Sequence, residues 1–163
     1  MKTLKELRKS LSKNKGTYAS LKLNYQSKNE LFEHVKFIGI PNVVDRDQYH
    51  TTVIYSRKEI PQAYALNNLD GPFTAIAKEW RIFPSQDTGH CLVLVLDCIE
   101  ATEMHNEFMS MGATYDYPEY IPHITIATNY TDAIMPQVVP YFSLKFDKLI
   151  VEPLDLDYTY KKA

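Results

Sequence analysis

"YIPHITIAT", residues 120–128, is the stretch on which the reading of this chain turns. It sets a proline, a histidine, one spacer and a threonine at the head of an apolar run. "YHTTVIY" at 49–55 repeats the pattern, and the two histidines stand 73 positions apart. Both runs are β-branched and aromatic, the composition of strands. Side chains alternate across a strand, so residues two apart share a face. His50 and Thr52 therefore point one way and their spacer Thr51 the other. His123 and Thr125 likewise share a face, with Ile124 turned away. Two such strands lying side by side or face to face bring two imidazoles and two hydroxyls to one spot.

That set suits phosphoryl chemistry. A neutral imidazole takes a proton from an attacking oxygen, and a protonated one hands a proton to the leaving oxygen. Histidine serves both roles because its ordinary pKa, about 6.5, lies near working pH. Threonine hydroxyls can donate to the non-bridging oxygens of a phosphate, where charge builds up. The set is complete without a metal or another cofactor, since zinc wants a third His, Cys, Asp or Glu ligand. A single His-x-Thr triplet is ordinary strand surface. The duplication singles these two out.

The bulk numbers bound the setting. A chain of 163 residues, 45% apolar and 23% charged, is expected to form one globular domain over 1–163. No apolar run approaches the roughly 20 residues of a membrane span. The basic start, "MKTLKELRKSLSKNK", lacks the apolar stretch of a secretory signal. Cys91 and Cys98 flank an expected strand that would hold them roughly 23 Å apart, too far to bridge. They read as free thiols in a reducing, cytoplasmic compartment. The formal net charge of −2 disfavours a long nucleic-acid partner, which wants a basic face, and permits a small anionic ligand.

Along the chain, Leu4, Leu7 and Leu11 predict a helix over 3–13 that Gly16 ends. "TYASLKLNY" predicts a strand at 17–25. Ser27 and Glu30 fit a capping box ahead of a helix that "GIPN" at 39–42 stops. A strand follows at about 50–56, then a connection with "DGP" as a turn at 70–72. An extended run covers 73–84. "HCLVLVLDC" at 90–98 predicts a central strand covered on both faces. A helix over 100–111 closes at Gly112, a loop leads to a strand at 123–128, and one or two helical turns start at Thr131. Strand character then runs from 141 to the terminus. This order predicts an α+β domain of two lobes, with antiparallel sheets facing across a central groove and helices outside.

The duplicated "HTT" (50–52) and "HIT" (123–125), with the lead-in "YPEYIPHIT", resemble the 2H phosphoesterase superfamily. Within it, "GTYAS", "YHTTVIYS", "KEWRIF", "GATYDYPEYIPHITIA" and an acidic, aromatic tail are similar to the short phage anti-CBASS phosphodiesterases. The resemblance implies a metal-independent hydrolase that opens 3′–5′ bonds of cyclic di- and trinucleotide messengers such as cyclic GMP-AMP. It implies His50 and His123 as acid and base, in an order left open, and Thr52 and Thr125 on the phosphate. It implies a small cyclic nucleotide as partner, with no membrane. An RNA-end 2′,3′-cyclic phosphodiesterase and a sponge that binds nucleotides without cutting them are the alternatives.

Nucleobases want flat partners. Trp80, among the charges of "KEWRIF", and Tyr18 at a strand start are the stacking candidates. Glu152 is a candidate acceptor for an exocyclic amine. Tyr158 and Tyr160 lie in a tail that either folds over the groove or frays. His34 and His105 read as solvated helix residues, and His90 as a strand start.

Overall fold

A computed structural model describes residue 3 and residues 16–85, 89–131 and 135–163. Residues 4–13 of the helix expected over 3–13 and the start of the helical turns expected after Thr131 lie outside these residues. Residues 135–140 are not helical.

Strand β1, Thr17–Leu23, buries Ala19, Leu21 and Leu23 and turns Tyr18, Ser20 and Lys22 to its other face. It ends two residues earlier than expected because Asn24 caps helix α1, Tyr25–Phe37, accepting from Ser27 N at 2.8 Å. Asn24 is extended, the conformation an N-cap requires. Ser27 is thereby freed from the expected capping box. Its buried hydroxyl accepts from Lys145 N at 2.9 Å and pins the helix to the last strand. Strand β2, His50–Ser56, has the expected bounds.

The "DGP" turn is a correction. Asp70, Gly71 and Pro72 lie inside strand β3, Leu69–Phe83, at a register shift against the last strand. Gly71 permits the close pass there: a Cβ would stand 2.6 Å from Phe146 O. Strand β4, Cys91–Asp97, sends Leu92, Leu94 and Leu96 into the main core and Cys91, Val93 and Val95 into a second cluster. Both its faces are thus covered, as the apolar run predicts. Both cysteines are buried thiols outside any disulfide. Helix α2, Ile99–Ser110, ends before Gly112, whose φ of +100° no side-chain-bearing residue adopts without strain. Strand β5 is His123–Ala127, and β6 is Leu144–Pro153, where strand character stops short of the terminus.

The antiparallel α+β fold is as expected, and its six strands close into one ring, β1-β2-β5-β4-β3-β6. The two expected sheets are its halves, β6-β1-β2 and β5-β4-β3. They join extensively at β3/β6 and by a single residue pair, Thr51 with Ile124, at β2/β5. That thin seam brings the two histidine strands together. Helices α1 and α2 pack against the strands through Leu31 and Val35, and through Ala101, His105 and Phe108.

Candidate active site

The two motifs are built alike. His50 Nδ1 lies 2.7 Å from Gln48 O, and His123 Nδ1 lies 2.7 Å from Ile121 O. A carbonyl only accepts, so each ring carries its proton on Nδ1 and keeps a bare Nε2. Each histidine is thus oriented by the carbonyl two residues before it. Thr51 pairs with Ile124, so the two spacers meet at the seam, and alternation turns His50 and Thr52, and His123 and Thr125, to the face opposite them. The two rings are near enough for the His123 charge to act on His50.

Desolvation lowers the pKa of His50. The carbonyl of Gln48 opposes that shift, and the charges of His123 and Lys22 add to it. Desolvation also lowers His123, against its bond to Ile121, and Arg81 adds to it. Both rings are accordingly neutral at pH 7, ready to accept a proton.

A cavity of about 340 Å³ opens beside His50 and Thr52. Tyr18, Glu152 and Tyr158 all line it. Tyr18 does more than offer a ring: its hydroxyl is 2.8 Å from Thr52 Oγ1, and its ring meets His50 edge-on. Burial raises its phenol well above the ordinary range. Glu152 pairs with Tyr18 across β6 and β1. Tyr158 packs edge-on at 6.2 Å from His50 and accepts from Gln48 Nε2 at 3.1 Å.

Trp80 is a correction. It is buried in the main core and donates from Nε1 to Val138 O at 2.9 Å, away from the cavity lining. A register shift between Ala77 and Glu79 sets Ala77 opposite Leu96 and Trp80 opposite Leu94, both on the core face. Glu79 and Arg81 are left facing the side of Val93, Val95 and His123.

The tail folds over the groove and is held there. Asp45 N donates to Lys161 O at 2.8 Å, Ala163 N to Val43 O at 3.1 Å, and Lys161 N to Gln48 Oε1. The strap places Tyr160 nearly parallel to His50, with centroids 6.1 Å apart, and its hydroxyl within hydrogen-bonding reach of Thr125. Burial pushes that hydroxyl up to about 12. Tyr160 thus touches both motifs.

Among the residues that the sequence reading missed, four stand out. Lys22 and Tyr55 line the cavity. Phe83 meets His123 edge-on at 4.7 Å, and the Arg81 charge acts on that same ring. Alternation along β1 places Lys22 on the face of Tyr18, so that signal was available. Alternation along β2 would turn Tyr55 away from His50, and it reaches the cavity side through the irregularity in the β1/β2 register between Ile54 and Thr52. Arg81 and Phe83 depend on the β3 register shift, which leaves no mark in the sequence.

His105 and His34 also differ from expectation, while His90 directly precedes β4. His105 is buried, stacked on Tyr120 at 4.2 Å, with Nδ1 2.8 Å from Val53 O. His34 is half-buried against Phe142, and its Nε2 is buried without a hydrogen-bond partner among the described residues. Tyr115 packs edge-on to His105 and Tyr120, the exposed Tyr117 meets Tyr115, and none of the three lines the cavity.

A strand ring that sets two His-x-Thr strands side by side is the fold of the 2H phosphoesterases. It is shared with TT0787 of Thermus thermophilus at TM-score 0.67 and 16% identity, over 90% of this chain and 94% of that one. E. coli LigT complexed with NADP+ matches at TM-score 0.58 and 14% identity, over 91% and 95%. Within that fold the sequence is more specific, because the family model for anti-CBASS protein Acb1 matches residues 15–161. The chain belongs to this family. It is 36% identical to the anti-CBASS protein Acb1 of Vibrio phage KVP40, over 88% of this chain and 90% of that protein. The counterpart in Salmonella phage S16 is 31% identical over 88% and 91%.

Proposed function

We propose that this protein is a phosphodiesterase that opens the 3′–5′ bonds of cyclic di- and trinucleotide messengers, cyclic GMP-AMP among them, so that a phage escapes CBASS immunity. The observation that carries the reading is the matched pair of histidines. Each holds its proton on Nδ1 against the carbonyl two residues back, and their strands meet at the two spacers, near enough for the His123 charge to act on His50.

The ribose 2′-hydroxyl attacks the adjacent phosphorus. One Nε2 takes the hydroxyl proton as the new P–O bond forms. The other ring, protonated, gives its proton to the departing 5′-oxygen as the old bond breaks. The products are a linear chain ending in a 2′,3′-cyclic phosphate and a free 5′-hydroxyl, and water can then open the cyclic phosphate. Intramolecular attack asks mainly for alignment. Thr52 and Thr125 donate to the non-bridging oxygens, taking up the charge that develops there. In the free protein their hydroxyls lie against Tyr18 and Tyr160. Both imidazoles are held neutral, so the acid is charged by the phosphate itself: a nearby anion favours the imidazolium.

The test is incubation with cyclic GMP-AMP in EDTA, with products resolved by chromatography, beside His50→Ala and His123→Ala. Linear product from the wild type alone supports the reading. Binding without turnover in any version supports a sponge. Cleavage confined to RNA 2′,3′-cyclic ends supports the RNA-end enzyme.

A further inference from the structure

The seam between the two histidine strands has only one residue pair, Thr51 with Ile124, whereas β3 and β4 share seven. Little backbone pairing fixes the distance on which the proposed reaction depends. Thr51 is the spacer of the first motif and points away from the groove. It is fully buried and polar. Its Oγ1 accepts from the backbone N–H of His123 at 3.1 Å. Tyr120 approaches the same strand: its hydroxyl donates to Thr52 O at 2.7 Å, and its oxygen lies within reach of the Thr51 side chain. Since the Tyr120 proton is spent on Thr52 O, the Thr51 hydroxyl proton is the one available to that contact. Tyr120 is itself clamped from behind by His105, which stacks on its ring and is bound to Val53 O.

We infer that Thr51 and Tyr120 are positioning residues that set the spacing of His50 and His123 through a side-chain bridge standing in for the missing strand ladder. Neither lines the cavity. Thr51 bonds directly to the backbone of one histidine and is the chain neighbour of the other. Tyr120 ties the segment leading into His123 to the strand that carries His50. A hydroxyl is required at position 51 because the buried N–H of His123 would otherwise lose its acceptor, a costly loss inside a protein. A valine fills the same space and offers none.

The test compares Thr51→Val, Thr51→Ser and Tyr120→Phe with the wild type by two readouts. The kinetic one rests on the phosphodiesterase reading and uses cyclic GMP-AMP. In Thr51→Val, kcat is expected to fall about 10- to 100-fold, the scale of a small misplacement of reacting groups, with KM unchanged. Thr51→Ser restores kcat, and Tyr120→Phe shows a smaller loss of the same kind. The second readout needs no substrate: the His123 amide exchanges hydrogen faster in Thr51→Val and at the wild-type rate in Thr51→Ser. Unchanged His123 exchange in Thr51→Val overturns the inference. So does a kinetic loss carried by KM, or failure of serine to rescue. A wild type inert toward cyclic nucleotides would sink the proposed reaction but leave the exchange measurement to decide the bridge.

Discussion

The His50 half and the His123 half of the groove use one backbone device in two different surroundings. Each imidazole is turned by the carbonyl two residues before it, and each is kept neutral chiefly by burial. Around His50 the aromatic rings of Tyr18 and Tyr158 line an open cavity. Around His123 the ring contact is Phe83, the strand neighbour is Val95, and the tryptophan on the same sheet half faces inward. In the proposed reaction, proton transfer is therefore shared evenly while ligand capture is lopsided. The ligand is gripped on the His50 side and meets the second histidine across the seam.

The largest expected effect tests the shared part. His50→Ala and His123→Ala should each lower kcat by about 10²–10⁴, the usual worth of a positioned proton-transfer group. Equal losses support the symmetry, and a mild loss for either ends it. Next comes the difference in aromatic placement. Trp80→Ala should destabilise the fold by about 3–5 kcal/mol, as for a buried aromatic, read by denaturant unfolding. Tyr158→Ala should leave stability alone and weaken nucleotide binding by about 1–3 kcal/mol, the range for lost base stacking, read by calorimetry. Exchanged outcomes would reverse the assignment of the two halves.

The smallest effect is on pH. His50, His105 and His123 all have pKa values lowered by burial. The folded state therefore binds their protons less readily than the unfolded chain. The associated stability is complete above the unfolded value, about 6.5, and is lost as pH falls through the lower folded values. Thermal unfolding between pH 7 and 5 should show this decline, and His105→Gln should reduce it without touching the groove. The same shift puts the acid limb of kcat/KM below 6.5, because the base must be neutral.

The sequence carries the proposed chemistry more plainly than the geometry that would serve it. The His-x-Thr spacing defines strands whose faces alternate, so His50, Thr52, His123 and Thr125 were legible together with β2, β4 and β5. Tyr18 was legible as an aromatic at a strand start, although its hydroxyl bond to Thr52 was not. The corrections share one cause, a local choice settled by a distant partner. Ser27 gave up its cap because Lys145 N claimed its hydroxyl and Asn24 stood ready. "DGP" was absorbed into a strand because β6 runs alongside it. Trp80 turned inward because β3 slips register at Lys78, although its charged neighbours suggest an exposed edge. His105, in a helix rich in acids, is buried because the Tyr120 ring lies on it.

The proposed chemistry requires both imidazoles to address one phosphate. A 15N NMR titration of the histidine side chains reads this directly, with and without a saturating phosphorothioate analogue of cyclic GMP-AMP. His50 and His123 should both start below the ordinary histidine value and both rise when the analogue binds, while His105 stays put. A rise at one histidine with the other unmoved would refute the shared phosphate.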